Sequence, residues 1–185
     1  MLLGYVLVIY DNKCNMYKNL KLNECDKYRN TYAINKIDPA IRIKTKKDFS
    51  STYDNLTIVT EQVKSFCANE GYEGLEFMEL PNSPGFYWFK IHNIIEFDAE
   101  AYGTRFINYS RQCEGYEEII GATPACLKVK KEICDGFYRT DISFGSFATK
   151  APLEIIGTKT KEKLTAAGFK GIDYIEIYDK YDWQK

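Results

Sequence analysis

Chemistry needs side chains that move protons, hold metals or attack bonds, and this chain is sparing with them. It has one histidine, His92, inside the run FKIHNIIEF. A Cys–His or Ser–His–Asp arrangement would have to use that single ring. A lone imidazole in a strand-like run is more often structural than catalytic. The spacings HExxH, GxSxG, GxxxxGK and GxGxxG are absent. Glu117 and Glu118 are adjacent, and Glu76 and Glu79 are close along the chain. Neighbouring carboxylates do not by themselves straddle a substrate. Metal binding would fall to Cys113, Cys126 and Cys134, with His92 as a fourth ligand. Their spacings of 13 and 8 do not make zinc knuckles, whose ligands lie two to four residues apart. No catalytic residue, metal or cofactor is therefore expected. The alternative is a small metal protein or enzyme built on His92 and those three cysteines.

Recognition is better provided for. Fifteen Tyr, eleven Phe and two Trp stand among 185 residues. Aromatic rings with polar tips suit half-buried sheets and protein interfaces. The run GFYWFK (85–90) offers Tyr87 and Trp88, and the end YDKYDWQK (178–185) offers Tyr181 and Trp183. Alternation places Tyr87 and Phe89 on one face of a strand and Phe86 and Trp88 on the other, so one pair faces the core. Tyr116, Glu117 and Glu118 complete the candidate partner-binding set. The net charge is −1, which supplies no field for nucleic acid or an anionic membrane. The basic cluster Lys36, Arg42, Lys44, Lys46 and Lys47 reads as a lysine-studded sheet edge.

The elements that position these residues are mostly strands. MLLGYVLVIYDN reads as a buried first strand, too short for a bilayer span and without the flanks of a secretory leader. With no leader signal and no CxxC, the six cysteines read as reduced thiols of a cytoplasmic protein. Residues 11–31 form a polar excursion. AIRIKTK (40–46) alternates as a half-buried strand. Strands follow at LTIV (56–59), GLEFMEL (74–80), FYWFKI (86–91) and FYRTDISF (137–144), with a helix over 60–70.

Residues 151–177 replay 54–80 at a constant offset of 97. GYEGLEFMEL (71–80) becomes GFKGIDYIEI (168–177). Each copy reads strand, helix, Gly-x-x-Gly, strand. The first glycine ends a helix instead of opening one, so the phrase is a left-handed stop and not a phosphate loop. Tyr72 and Phe169 should fold back on Cys67 and Leu164, which makes Cys67 a core residue. A strand–helix–strand unit favours a right-handed crossover and a parallel pair. The expected class is α+β, mostly β with a few short helices and two related units at about 54–80 and 151–177. They share a single domain, or two pseudo-repeated lobes at about 1–88 and 89–185.

RQCEGYEEIIGATPACL (111–127), GFYRTDISFGS (136–146) and PLEIIGTKTKEKLTAAGFKGIDYIEI (152–177) together resemble the bacterial double CxxCG motif proteins and related families of polymorphic-toxin immunity proteins. The first half resembles them only through TEQVKSFCANEGYEGLEFMEL (60–80). Where zinc-bearing members carry CxxCG, Cys113 and Gly115 stand here, but Ser110 takes the partner cysteine's place. The resemblance implies a degenerate zinc knuckle, no catalytic residues and a cognate toxin as partner. The expected protein is a cytoplasmic, non-catalytic binder that neutralises a toxin, without nucleic-acid or membrane partners. A housekeeping interaction module is the remaining alternative.

Overall fold

The replayed phrase folds twice into one kind of unit, and each copy wraps a third strand. The structure is a computed structural model, and it describes residues 1–180. β1 (Leu2–Ile9) comes first. An irregular excursion follows, with a 3₁₀ turn at Glu24–Tyr28 and the one-turn helix α1 (Thr31–Ile34). Next are β2 (Phe49–Ser51), β3 (Thr57–Thr60), α2 (Glu61–Asn69), β4 (Leu75–Glu79) and β5 (Phe86–Ile91). Then come β6 (Ile94–Ile95), α3 (Ala99–Tyr102), β7 (Arg105–Ser110) and β8 (Gly115–Ile120). The chain goes on with β9 (Phe137–Ser146), β10 (Ala151–Ile156), α4 (Thr158–Ala167) and β11 (Ile172–Tyr178). The fold is α+β and mostly β.

Two sheets result. The smaller has the order β2-β3-β5-β4, and the larger β11-β1-β10-β9-β8-β7 with β6 alongside β9. In the first copy, β3 and β4 both pair antiparallel with β5. In the second, β10 and β11 both pair antiparallel with β1. The two strands of each copy are thus parallel but never adjacent. The expected parallel pair is split by an inserted antiparallel strand, which adds two ladders per unit where direct pairing would add one.

The helices end as the glycines dictate. Gly71 and Gly168 take φ of 70° and 72°, where a Cβ would be strained. After α2 the Tyr72 N–H donates to the Cys67 carbonyl (3.0 Å) and the Gly71 N–H to that of Ala68 (3.1 Å), the two bonds of a Schellman stop. Val63 and Cys67 lie one turn apart on the buried face of α2, and Thr160 and Leu164 hold the same places on α4. Both helices cover one core with Leu7, Phe89 and Phe137. Its rings meet edge to face: Phe66–Phe169 at 5.1 Å and Tyr72–Phe137 at 5.1 Å. Burial pushes the Cys67 thiol up to about 12, as expected of an inert core cysteine.

The opposite faces are covered by the irregular segments. Met16, Tyr17, Ile41 and Ile43 close over Trp88, Ile58 and Leu56. Phe97, Leu127 and Ile133 close over Leu3, Val6 and Ile155. The expected strand at 40–46 is not one. Ile41 and Ile43 are buried and Arg42 and Lys44 exposed, but no strand among the described residues pairs with them. Ser83 stands in for a ladder: its Oγ accepts from the Ile43 N–H (2.8 Å) and donates to the Ile41 carbonyl (3.2 Å). The basic cluster therefore does not guard a sheet edge.

The six cysteines are not all thiols. Cys25 and Cys113 form a disulfide across 88 residues, while Cys14, Cys67, Cys126 and Cys134 are free. Disulfides persist in oxidising surroundings, which runs against the expectation of a fully reduced chain. No helix among the described residues is long and apolar enough to cross a membrane.

Candidate functional site

The hairpin β7–β8 forms the outer end of the larger sheet. Its register pairs Tyr109 with Tyr116 and Phe106 with Ile119. Phe106 and Tyr109 are three residues apart, so a regular strand would send them to opposite faces. Asn108 breaks the period. It sits at φ 54°, and its Nδ2 donates to Glu117 Oε2 (2.9 Å). The two rings then share a face and flank Tyr116, at 5.1 Å from Phe106 and 4.9 Å from Tyr109. Phe106 is 41% and Tyr109 54% exposed, high values for large rings that already touch each other. Beside them a groove of about 240 Å³ runs over Tyr28, Ile142 and Lys150.

Crosslink and cation hold this hairpin still. Its turn carries Cys113, tied to Cys25 in the 3₁₀ turn. Gly115 leaves no room for a side chain, since a Cβ there would lie 2.5 Å from the Tyr28 carbonyl oxygen. Lys150 is 2% exposed, and its ammonium donates to the carbonyls of Lys27 (2.8 Å), Glu117 (3.2 Å) and Phe147. Burial brings that ammonium down to about 8, with Glu117 and Glu118 working in the opposite direction. The 3₁₀ turn, the hairpin and the segment before β10 thus meet on one buried cation.

The expected partner residues divide. Tyr116 lies at the centre of the exposed cluster. Glu117 and Glu118 lie beside it but are engaged within the fold, with Asn108 and with the Ser146 hydroxyl (3.1 Å). Trp88 is 1% exposed and sealed beneath the excursion. Tyr87 is buried on the opposite face of β5, its hydroxyl donating to Glu61. Both faces of β5 are therefore interior, a correction to the reading that one faces outward. Residues 11–47 supply the cover that strand alternation cannot foresee. Tyr181 and Trp183 lie outside the described residues. Phe106 and Tyr109 were not expected, because RFINYS has no regular apolar period; a period shift around Asn108 was their available mark.

The alternative metal set is not brought together. Cys113 is spent in the disulfide, and His92 Nε2 lies 2.8 Å from Glu76 Oε2. Glu76 also pairs with Lys90 (3.3 Å), and His92 first, then Lys90, hold its carboxyl below the usual range against partial burial. No three His, Cys, Asp or Glu side chains converge among the described residues. Comparison with protein-family models and with curated proteins finds no match to this chain.

Proposed function

We propose that this chain is a non-catalytic protein-binding protein, an immunity protein that neutralises a cognate toxin by covering its working site, with the Phe106–Tyr116–Tyr109 face as its contact. The observation that carries this reading is the exposed ring cluster on a hairpin already fixed by a disulfide and a buried lysine. Aromatic anchors supply most of the energy at protein interfaces. A contact that is rigid before binding pays little ordering entropy. Exposed Arg105, Arg111 and Glu114 lie on the same hairpin and its turn and add both signs of charge, as an interface rim does. The left-handed backbone at Asn108 kinks the strand edge against backbone addition without shifting the register, so recognition would run through side chains. The toxin as partner rests on the resemblance of 111–177 to immunity families.

The test is co-expression with the product of the neighbouring gene, scored by pull-down and by survival of the host. The double variant Phe106→Ala, Tyr109→Ala should fold normally, both rings being exposed, and bind roughly a hundredfold more weakly. Full protection by that variant removes the surface from the proposal. A neighbouring product that is harmless and is not captured removes the toxin.

A further inference from the structure

Where the two copies face each other, the larger sheet opens. β1 and β10 pair only at Tyr5↔Ile156 and Val6↔Ile155. Beyond those pairs Leu7–Ile9 stay with β11, and residues 151–154 stay with β9. Pro152 has no N–H to continue the ladder. The wedge left between the strands is a cavity of about 250 Å³.

Glu154 and Thr57 occupy the same place in the repeat, 97 residues apart, and both line this cavity. Thr57 hydrogen-bonds the Glu154 carboxyl. The second carboxyl oxygen, Oε2, is shielded from solvent and has no hydrogen-bond partner among the described residues. Arg139 stands directly across the ladder from Glu154 but forms no ion pair with it among the described contacts. Its guanidinium lies over the Tyr32 ring at 4.8 Å, and its Nη1 donates to the Thr140 carbonyl (3.3 Å). Among the described residues that line the cavity, Glu154 alone carries a charge. The rest is part apolar, from Leu7, Phe144 and Leu153 with the rings of Trp88 and Tyr32, and part polar but uncharged, from Ser51, Asn55 and Thr57.

We infer that this cavity is a binding site for a small organic cation, a primary ammonium group on a compact apolar body. An unpaired carboxylate away from water is costly, and removing that cost favours a ligand carrying the opposite charge. A primary ammonium has three donors to offer the Glu154 carboxyl and the hydroxyls of Ser51 and Thr57 that line the cavity with it. Trp88 and Tyr32 add ring faces that attract cations. The volume falls below the roughly 300 Å³ at which drug-sized sites begin, which points to a body of a few carbons. Glu154 suits the task, because burial pushes its carboxyl up to about 7 and a bound ammonium would restore the charged form. Tyr32 from α1 and Arg139 from β9 are the titratable groups around it; β1, β3 and β5 present Val6, Leu7, Ile9, Thr57 and Trp88 there. Burial raises Tyr32 further above neutrality, so its hydroxyl keeps its proton between pH 5 and 9. This site is independent of the hairpin contact.

The test is calorimetry of the intact chain with n-butylamine, with 1-butanol as the neutral probe and tetramethylammonium as the cation without N–H donors. Butylamine should bind saturably at pH 8, at least tenfold more tightly than either control. At pH 7 binding should release roughly half a proton, read as a dependence of the heat on buffer ionisation. Glu154→Gln should lose tenfold or more in affinity. Equal binding of butylamine and butanol, no saturable butylamine binding, or no proton release at pH 7 each overturns the inference. The proton measurement uses the natural chain and stands even if the variant fails to fold.

Discussion

The first copy takes its middle strand from the segment next to it in the chain, and the second takes its middle strand from the chain's start. β5 comes directly after β4, whereas β1 precedes β10 by most of the sequence. The registers still agree. Ile58 faces Trp88 as Ile155 faces Val6, and Val59 faces Tyr87 as Ile156 faces Tyr5. On the other side Phe77 faces Phe89 as Tyr174 faces Leu7. Both ladders give the same correspondence: residues 5–9 stand for residues 87–91. Side chains follow it, with Lys64 over the Tyr87 ring at 4.2 Å and its counterpart Lys161 over the Tyr5 ring at 5.6 Å. A three-stranded unit needs a middle strand in register, and the ladder does not depend on where in the chain that strand lies. The copies diverge in what they are asked to carry. The first ends in a four-stranded sheet; the second extends into the larger one and separates from β1, and there the cavity forms.

The sharpest way to break the comparison is at its middle strands. Trp88 fills the face where Val6 is its counterpart, and both are buried. Trp88→Ala should cost roughly 3–5 kcal/mol. Val6→Ala removes only two carbons and should cost roughly 2 kcal/mol. Urea unfolding of the two variants checks the ratio. Equal losses would mean that the two strands are not equivalent supports.

Next in size is the crosslink, which separates the repeated frame from the unrepeated hairpin. Cys113→Ser opens an 88-residue separation and should lower stability by roughly 2–4 kcal/mol. The natural chain, denatured without reductant, should titrate four thiols. Amide exchange should quicken in β7 and β8 of the variant and stay unchanged in α2 and α4. Uniform loosening would show that the hairpin and the frame are one cooperative unit.

Glu154 replaces Thr57 at the equivalent place, and that exchange has a pH signature. The folded carboxyl ionises near 7 and the unfolded one near 4.5. Below pH 4.5 both are protonated and nothing is lost. As pH rises to 7 the unfolded chain releases its proton first, so stability falls; above 7 the loss is constant. Glu154→Gln removes this slope. At pH 8 the variant should be the more stable by about 2 kcal/mol, and near pH 4 the two should match. Melting curves across that range decide it.

Much of the frame could be read before the structure, because it rests on local rules. Gly71 and Gly168 mark helix stops by their conformation alone, and the apolar spacing of Val63 and Cys67 marks the buried face. What escaped depends on distant covering. Trp88 is interior because residues 11–47 fold over it, and alternation along FYWFKI says nothing about that. GYVLVI (4–9) and FYWFKI (86–91) share Tyr and Ile at matching places, but a search at a constant offset of 97 passes over a strand moved to the front of the chain. The Cys25–Cys113 pairing could not be chosen among six cysteines without the fold. Glu154 sits in APLEII as an ordinary polar place in a strand, and only the separation of β10 from β1 leaves its oxygen unpartnered.

The smallest effect tests whether the copies act together. Asp135 lies between them in sequence and bonds both. Its Oδ1 accepts from the hydroxyls of Tyr72 (3.0 Å) and Thr160 (2.7 Å), and its Oδ2 pairs with Lys163 (2.8 Å). Lys163 in turn reaches Glu70 (3.0 Å). Partial burial opposes ionisation of Asp135, but Lys163, Thr160, Tyr72 and the Gly136 N–H outweigh it and hold the carboxyl at about 2. A depressed carboxyl stabilises the fold above the unfolded value of 3.8 and loses that contribution as pH falls towards 2. The side chains of Asp135 and Lys163 are 38% and 35% exposed, so water and salt screen the pair. Asp135→Asn should therefore cost only about 1 kcal/mol at pH 7. The gap to the natural chain should narrow below pH 4 and shrink in 1 M salt. A loss that ignores both pH and salt would assign the brace to its hydrogen bonds and shape, and would leave the two copies joined by their shared apolar core.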